Sequence, residues 1–153
     1  MKRIVCAGAF ALALGTGAVM AEVKPAEVKF VDDSEIVEPL TATAGDPKAG
    51  REWYAGRKLG NCLACHQTSD LKELPFHGEV GPEMDGVADR YEEPQLRAIL
   101  VNSKKVFGER TIMPGFYTAT GGARIADDFA GKTILSAQQV EDIVAYLKTL
   151  KEE

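Results

Sequence analysis

Apolar residues recur at helical spacing in three stretches of the chain. Val140, Ile143, Val144 and Leu147 mark one face of a helix near the C-terminus. Ser136 and Gln139 form a capping-box pair, so this helix begins at Ser136. Glu141 and Asp142 near its positive end, and Lys148 and Lys151 near its negative end, agree with the helix dipole. Leu96, Ile99 and Leu100 form a second stripe, on a helix that Pro94 opens and that ends near Asn102. A third helix opens at Asp46-Pro47, with Asp as N-cap and Pro at the first helical position. It passes through Trp53 and Tyr54 to about Leu59, where Gly60-Asn61 breaks it.

Between these helices the pattern is irregular. Residues 67–84 and 104–132 are rich in glycine and proline and read as long loops. In residues 22–45, Val28, Phe30, Val31, Ile36, Val37 and Leu40 lie among acids, prolines and threonines. That stretch reads as a partly ordered extended arm with room for one short strand, free to pack on the domain or on a partner. There is no internal repeat and no low-complexity tract. The plan is therefore all-α, with few helices and long loops. Loops of this length argue against a compact domain unless something besides side chains fills the core.

Residues 1–21 differ again. Lys2 and Arg3 precede an uncharged run from Ile4 to Val19, and Val19-Met20-Ala21 offers a cleavage site. The run is short, rich in Ala and Gly, and followed by no stop-transfer cluster. It reads as a secretory signal peptide and not as a membrane anchor, so no membrane insertion is expected. Cleavage leaves Glu22 first, with an arm over 22–45 and a domain over 46–153. A leader with two cations and no acid takes the formal net charge from −5 to −7 when it leaves. Such a chain has no long-range attraction for nucleic acid or anionic lipid.

Of three cysteines, Cys6 lies in the leader, which leaves Cys62 and Cys65 in the mature chain. They stand in Cys62-Leu63-Ala64-Cys65-His66, the attachment pattern of a c-type haem. The spacing follows from the chemistry. Two thiols two residues apart on a helical turn reach the two vinyl groups of one porphyrin edge, and the next residue, His66, lies under the iron. A zinc site needs a second ligand pair, and only Cys6 and His77 remain. A redox dithiol would sit near a βαβ pattern, which is absent, and would not need His66. In an oxidising compartment a free pair would close to a disulfide, whereas one covalent haem c uses both sulfurs. Haem attachment outside the bacterial inner membrane and an export leader both point to the periplasm.

The iron's other axial position falls to Met113, Met84, His77, a lysine, or nothing. Met113 sits in Thr111-Ile112-Met113-Pro114-Gly115-Phe116-Tyr117, where apolar neighbours shield a metal and Pro114 stiffens the backbone. A thioether there raises the reduction potential. Met84 reads as a packing residue and His77 as a loop histidine. A lysine would have to be deprotonated. Gly81-Pro82 supplies a backbone carbonyl, at Pro82, to accept from the ring N–H of His66 and set its orientation and basicity.

The order of these features resembles a class I cytochrome c: helix, Cys-x-x-Cys-His, Gly-Pro loop, Met-Pro loop, C-terminal helix. In that family the first and last helices cross, which places Gly50 and Tyr54 against Tyr146 and Leu147. The segments Gly60-Asn61 with the haem motif, Gly81-Pro82, Gly86-Val87-Ala88-Asp89-Arg90-Tyr91, Leu96-Arg97, Val101-Asn102, 111–117 and 129–147 narrow the likeness. Over residues 46–150 the chain is similar to the SoxX family, the monohaem subunit of the SoxAX cytochrome complex of sulfur oxidation. The resemblance implies long loops wrapped around one covalent haem, a SoxA-type partner in a heterodimer, and a soluble cytochrome as electron acceptor. It also implies that the complex, an L-cysteine S-thiosulfotransferase, joins thiosulfate to a carrier-protein cysteine and releases two electrons. The sulfur chemistry belongs to a thiolate-ligated haem on SoxA. This chain has no spare cysteine, so no catalytic residue is assigned to it and its share is electron transfer. The alternative is a free-standing periplasmic shuttle. A third reading, a haem enzyme or gas sensor with an open iron, requires that Met113 not ligate.

Overall fold

The structure is a computed structural model that describes residues 22–119, 127 and 130–152. The expected leader and Phe129 lie outside the described residues. Within them the chain is all-α. Helices α1 (Pro47–Ala55), α2 (Val87–Arg90), α3 (Glu93–Phe107) and α4 (Ala137–Leu147) are joined by long loops. Among the described residues the β pairing is a single bridge, Val31 to Glu35. Asp32 and Asp33, with φ of 47° and 58°, turn the chain too tightly between those residues for a strand to extend.

Asp46 caps α1 as expected, its carboxylate accepting from the Lys48 N–H at 2.9 Å. The helix stops at Ala55, four residues short of Leu59, because Gly56 leaves the helical region and turns the chain. Its carbonyl accepts from the N–H groups of Leu59 and Asn61. In α4 the Ser136–Gln139 capping box is formed in both directions. In α3 the backbone breaks at Asn102, with φ −151° and ψ 84°, and then resumes to Phe107. The Asn102 Oδ1 accepts from the Lys105 N–H at 3.3 Å and so restarts the last turn as an internal cap.

Helices α1 and α4 cross in close contact. A Cβ at Gly50 would run into the carbonyl of Asp142, so only glycine lets the two backbones approach this far. The rings of Tyr54 and Tyr146 meet edge to face, with centroids 5.4 Å apart. This is the crossing expected of Gly50 and Tyr54 against Tyr146 and Leu147. Glu141 and Asp142 do more than complement a dipole, since both are buried. The Asp142 carboxylate accepts from the Asp46 N–H at 2.9 Å and from Trp53 Nε1–H at 3.0 Å, which ties it to both ends of α1.

The arm is not loose. Ile36 and Leu40 are 2% and 1% exposed and belong to the core. The Ile36 N–H donates to the Pro94 carbonyl, and Val23 N–H to that of Leu40. The Glu22 carboxylate accepts from Tyr117 Oη–H at 2.8 Å and from the Ala137 N–H, the first residue of α4, at 3.4 Å. The buried guanidinium of Arg97 donates to both carboxylate oxygens of Glu141 and to the Ile36 carbonyl. Leu40 N–H donates to the same Glu141 at 2.9 Å. The arm thus closes the core and completes a buried ion pair. Val31 and Val37 remain on its outer side.

Candidate haem site

Cys62 and Cys65 flank a single turn that starts at Asn61, which adopts the left-handed conformation (φ 49°) that asparagine tolerates. The N–H groups of Cys65 and His66 both donate to the Cys62 carbonyl, so three donor side chains leave one tight turn. The cysteines are free thiols, not a disulfide. Burial pushes the Cys62 thiol up to about 12. Cys65 and His66 are half-buried.

A second segment lies alongside this turn. N–H groups of Gly78, Gly81 and Met84 donate to the carbonyls of Leu63, Cys65 and Gln67 at 2.7, 2.8 and 2.9 Å. That ladder fixes the backbone at Gly81, where a Cβ would strike the imidazole of His66. It also puts the Pro82 carbonyl 2.7 Å from His66 Nδ1. A carbonyl only accepts, so Nδ1 carries a proton, and in the neutral ring Nε2 is then the nitrogen with the lone pair. Nε2 has no hydrogen bond among the described residues.

His77 behaves differently. Its Nδ1 accepts from the Thr68 N–H at 3.3 Å, and its Nε2–H donates to the Leu71 carbonyl at 3.1 Å. Both ring nitrogens are taken by backbone, which fits a loop histidine and not a ligand. Thr68 Oγ1 in turn shares a hydrogen bond with Tyr54 Oη at 2.9 Å.

Met113 is half-buried on the loop after α3, as Met84 is on its own loop. The Met113 carbonyl accepts from Ser103 Oγ at 2.5 Å. The structure therefore brings Cys62, Cys65, His66 and Pro82 together, while Met113 stands on a separate loop with no hydrogen bond to them. Two free thiols and an imidazole with an open Nε2 on one turn suit a thioether-linked haem, and the Met113 thioether lies on another loop. Among the described residues no three His, Cys, Asp or Glu side chains gather in a group that could hold a metal ion. No helix among them is long and apolar enough to cross a membrane.

Sequence reasoning did not find Ser103, which has no motif. The helix expected to end near Asn102 does break there, but it resumes and runs on to Phe107, a continuation that the sequence reading did not foresee.

Comparisons with known proteins agree with this geometry. Residues 47–151 match the family model described as Cytochrome c. A search of curated proteins finds no match. Among solved structures, a chain in the crystal structure of SoxXA from P. pantotrophus is similar at 43% identity and a TM-score of 0.79. The likeness covers 86% of this chain and 100% of that one.

Proposed function

The chain belongs to the cytochrome c family, and within it to the SoxX monohaem class I cytochromes, and we propose that it is the electron-transfer subunit of a SoxA-type heterodimer in the periplasm. The observation that carries this reading is the likeness, over 86% of this chain and the whole of the other, to a chain of a SoxXA structure. Electrons would come from the SoxA-type subunit, where thiosulfate is joined to a carrier cysteine, and leave to a soluble cytochrome.

Haem c, when bound, supplies a one-electron iron couple. Cys62 and Cys65 would hold it through thioethers, and His66 Nε2 and the Met113 sulfur would be the donors to its iron. The Pro82 carbonyl keeps the His66 proton on Nδ1 and makes the imidazole a stronger donor. The side chain of residue 81 is limited to hydrogen by that ring. Val80, two residues before Pro82, and Ile112, just before Met113, are 65% and 79% exposed. Exposed apolar side chains on the loop that supports His66 and on the loop that carries Met113 suit a surface that a partner covers and dries. With only Cys62 and Cys65 after the leader, the chain offers no thiol of its own to the sulfur chemistry.

Co-purification from the native periplasm tests the reading. A larger haem protein should accompany the mature chain in equal amount. Elution as a lone monomer would overturn the subunit role and favour the free shuttle. The arm is tested separately, because deleting it would also remove Ile36 and Leu40 from the core. Val31→Asp with Val37→Asp alters its outer side alone. If the arm holds the partner, this variant should lose partner in a pull-down while its haem spectrum stays parental. Full retention of partner would confine the arm to a structural role.

A further inference from the structure

The loop that carries Met113 is bound to α3 on both sides of the break at Asn102. Before the break, the carbonyls of Leu100 and Val101 accept from the N–H groups of Phe116 and Tyr117 at 2.9 and 3.2 Å. After it, Ser103 Oγ donates to the Met113 carbonyl at 2.5 Å and Lys104 Nζ donates to the Thr111 carbonyl at 2.8 Å. The approach is close. A Cβ at Gly115 would lie 3.0 Å from the Val101 carbonyl oxygen and 3.3 Å from the Asn102 Cα. Ser103 is 0% exposed, so its hydroxyl has no water to turn to.

A continuous helix uses its own carbonyls in its own ladder. At the extended backbone of Asn102 the carbonyls of Leu100 and Val101 serve the loop, and Ser103 and Lys104 reach it from the other side of the break. Four hydrogen bonds then grip residues 111, 113, 116 and 117, on either side of Pro114. Pro114 fixes its own φ and has no N–H to give. The backbone of Met113 is thereby held from both directions, and the freedom of its sulfur is confined to the side chain.

We infer that Ser103 and Lys104 are positioning residues that hold the Met113 sulfur in place for the iron, and that the break at Asn102 exists to present them. The inference rests on Met113 being an axial ligand. Neither side chain touches the haem in this account. Each acts through a backbone carbonyl of the ligand loop.

The test uses ferric holoprotein and imidazole as a competitor for the Met113 position. Loss of the weak sulfur-to-iron band in the far red follows the titration. Removing one buried hydrogen bond should free the loop enough for Ser103→Ala to bind imidazole about tenfold more tightly than the parent, equivalent to about 1.4 kcal/mol. Lys104→Gln, whose bond is partly exposed, should bind it about threefold more tightly. Ser103→Thr keeps the hydroxyl and should stay near the parent. Urea unfolding of the same samples separates a local grip from general stability. A merely structural role would lower the unfolding midpoint and leave imidazole affinity parental, and that pattern in Ser103→Ala and Lys104→Gln overturns the proposal. If Ser103→Ala does not fold, Lys104→Gln alone decides. Met113→Ala is run first. Survival of the far-red band in that variant would show that Met113 is not the ligand, and would end both the ligand reading and this inference.

Discussion

Arg97 and Glu141 form an ion pair at 2.8 Å with their side chains 1% and 6% exposed, and the arm completes it through Ile36 and Leu40. Three distant stretches of sequence meet there. Removing one partner leaves the other charge buried and unpaired. Arg97→Met should therefore cost about 3–5 kcal/mol of unfolding free energy. Arg97→Met combined with Glu141→Leu should recover part of that loss, because neither charge of the pair is left buried alone. Urea unfolding of the holoproteins, read as a double-mutant cycle, checks both.

Cys62 and Cys65 leave the same turn as free thiols, and each should carry one thioether. Cys62→Ala and Cys65→Ala singly should each retain haem on denaturation through the remaining bond. The double variant should lose it all. The mass of the denatured mature chain reads this directly. A parental chain without porphyrin mass would remove the haem reading altogether.

Asp70 accepts from Arg51 Nε–H and from Tyr146 Oη–H, each at 2.8 Å. Hydrogen bonding from Arg51, then from Tyr146, holds its carboxyl below the usual carboxylate range. A lowered folded-state value means that the stabilisation is complete above the unfolded value of ~4 and fades as pH falls through the folded one. The side chain is 45% exposed, so solvent reduces the effect to below about 1 kcal/mol. Asp70→Asn should accordingly be less stable than the parent near neutral pH and equal to it in strong acid. Unfolding midpoints at the two extremes measure the difference.

Gly50 faces the Asp142 carbonyl with no room for a methyl group. The obstacle is backbone, which cannot rotate away. Gly50→Ala should force α1 from α4 and destabilise the protein by about 1–3 kcal/mol or more. A thermal melt with an unchanged Tm would mean that the crossing yields more readily than its geometry implies.

What the sequence disclosed was local. Asp46-Pro47 and the Ser136–Gln139 box announce α1 and α4 within four residues each, because capping is a short-range hydrogen bond. The haem motif is equally local, and Gly81-Pro82 predicted the carbonyl now seen 2.7 Å from His66 Nδ1. The missed features join residues far apart. Ile36 and Leu40 sit among acids with no period, and nothing local says which of them is inside. Arg97 and Glu141 lie 44 residues apart on helices whose exposed faces also carry charge. The helical stripe runs out near Asn102, where the backbone does break, but the resumption to Phe107 and the bond from Ser103 to Met113, ten residues on, carry no local signal.

The contact between α1 and α4 has a topological consequence. Asp46 and Asp142 are bonded across a sequence separation of 96 positions, and the loops that carry Pro82 and Met113 both lie inside the ring that this bond closes. For an open chain, closing such a ring costs about 4 kcal/mol in loop entropy, whatever the ring contains. Once α1 and α4 are locked, each loop inside needs only a short local closure. The Met113 loop can then open and reseat alone while the ring stays shut. Amide hydrogens of Phe116 and Tyr117 should exchange by that small opening, whereas those at the α1–α4 crossing should wait for the whole chain to unfold.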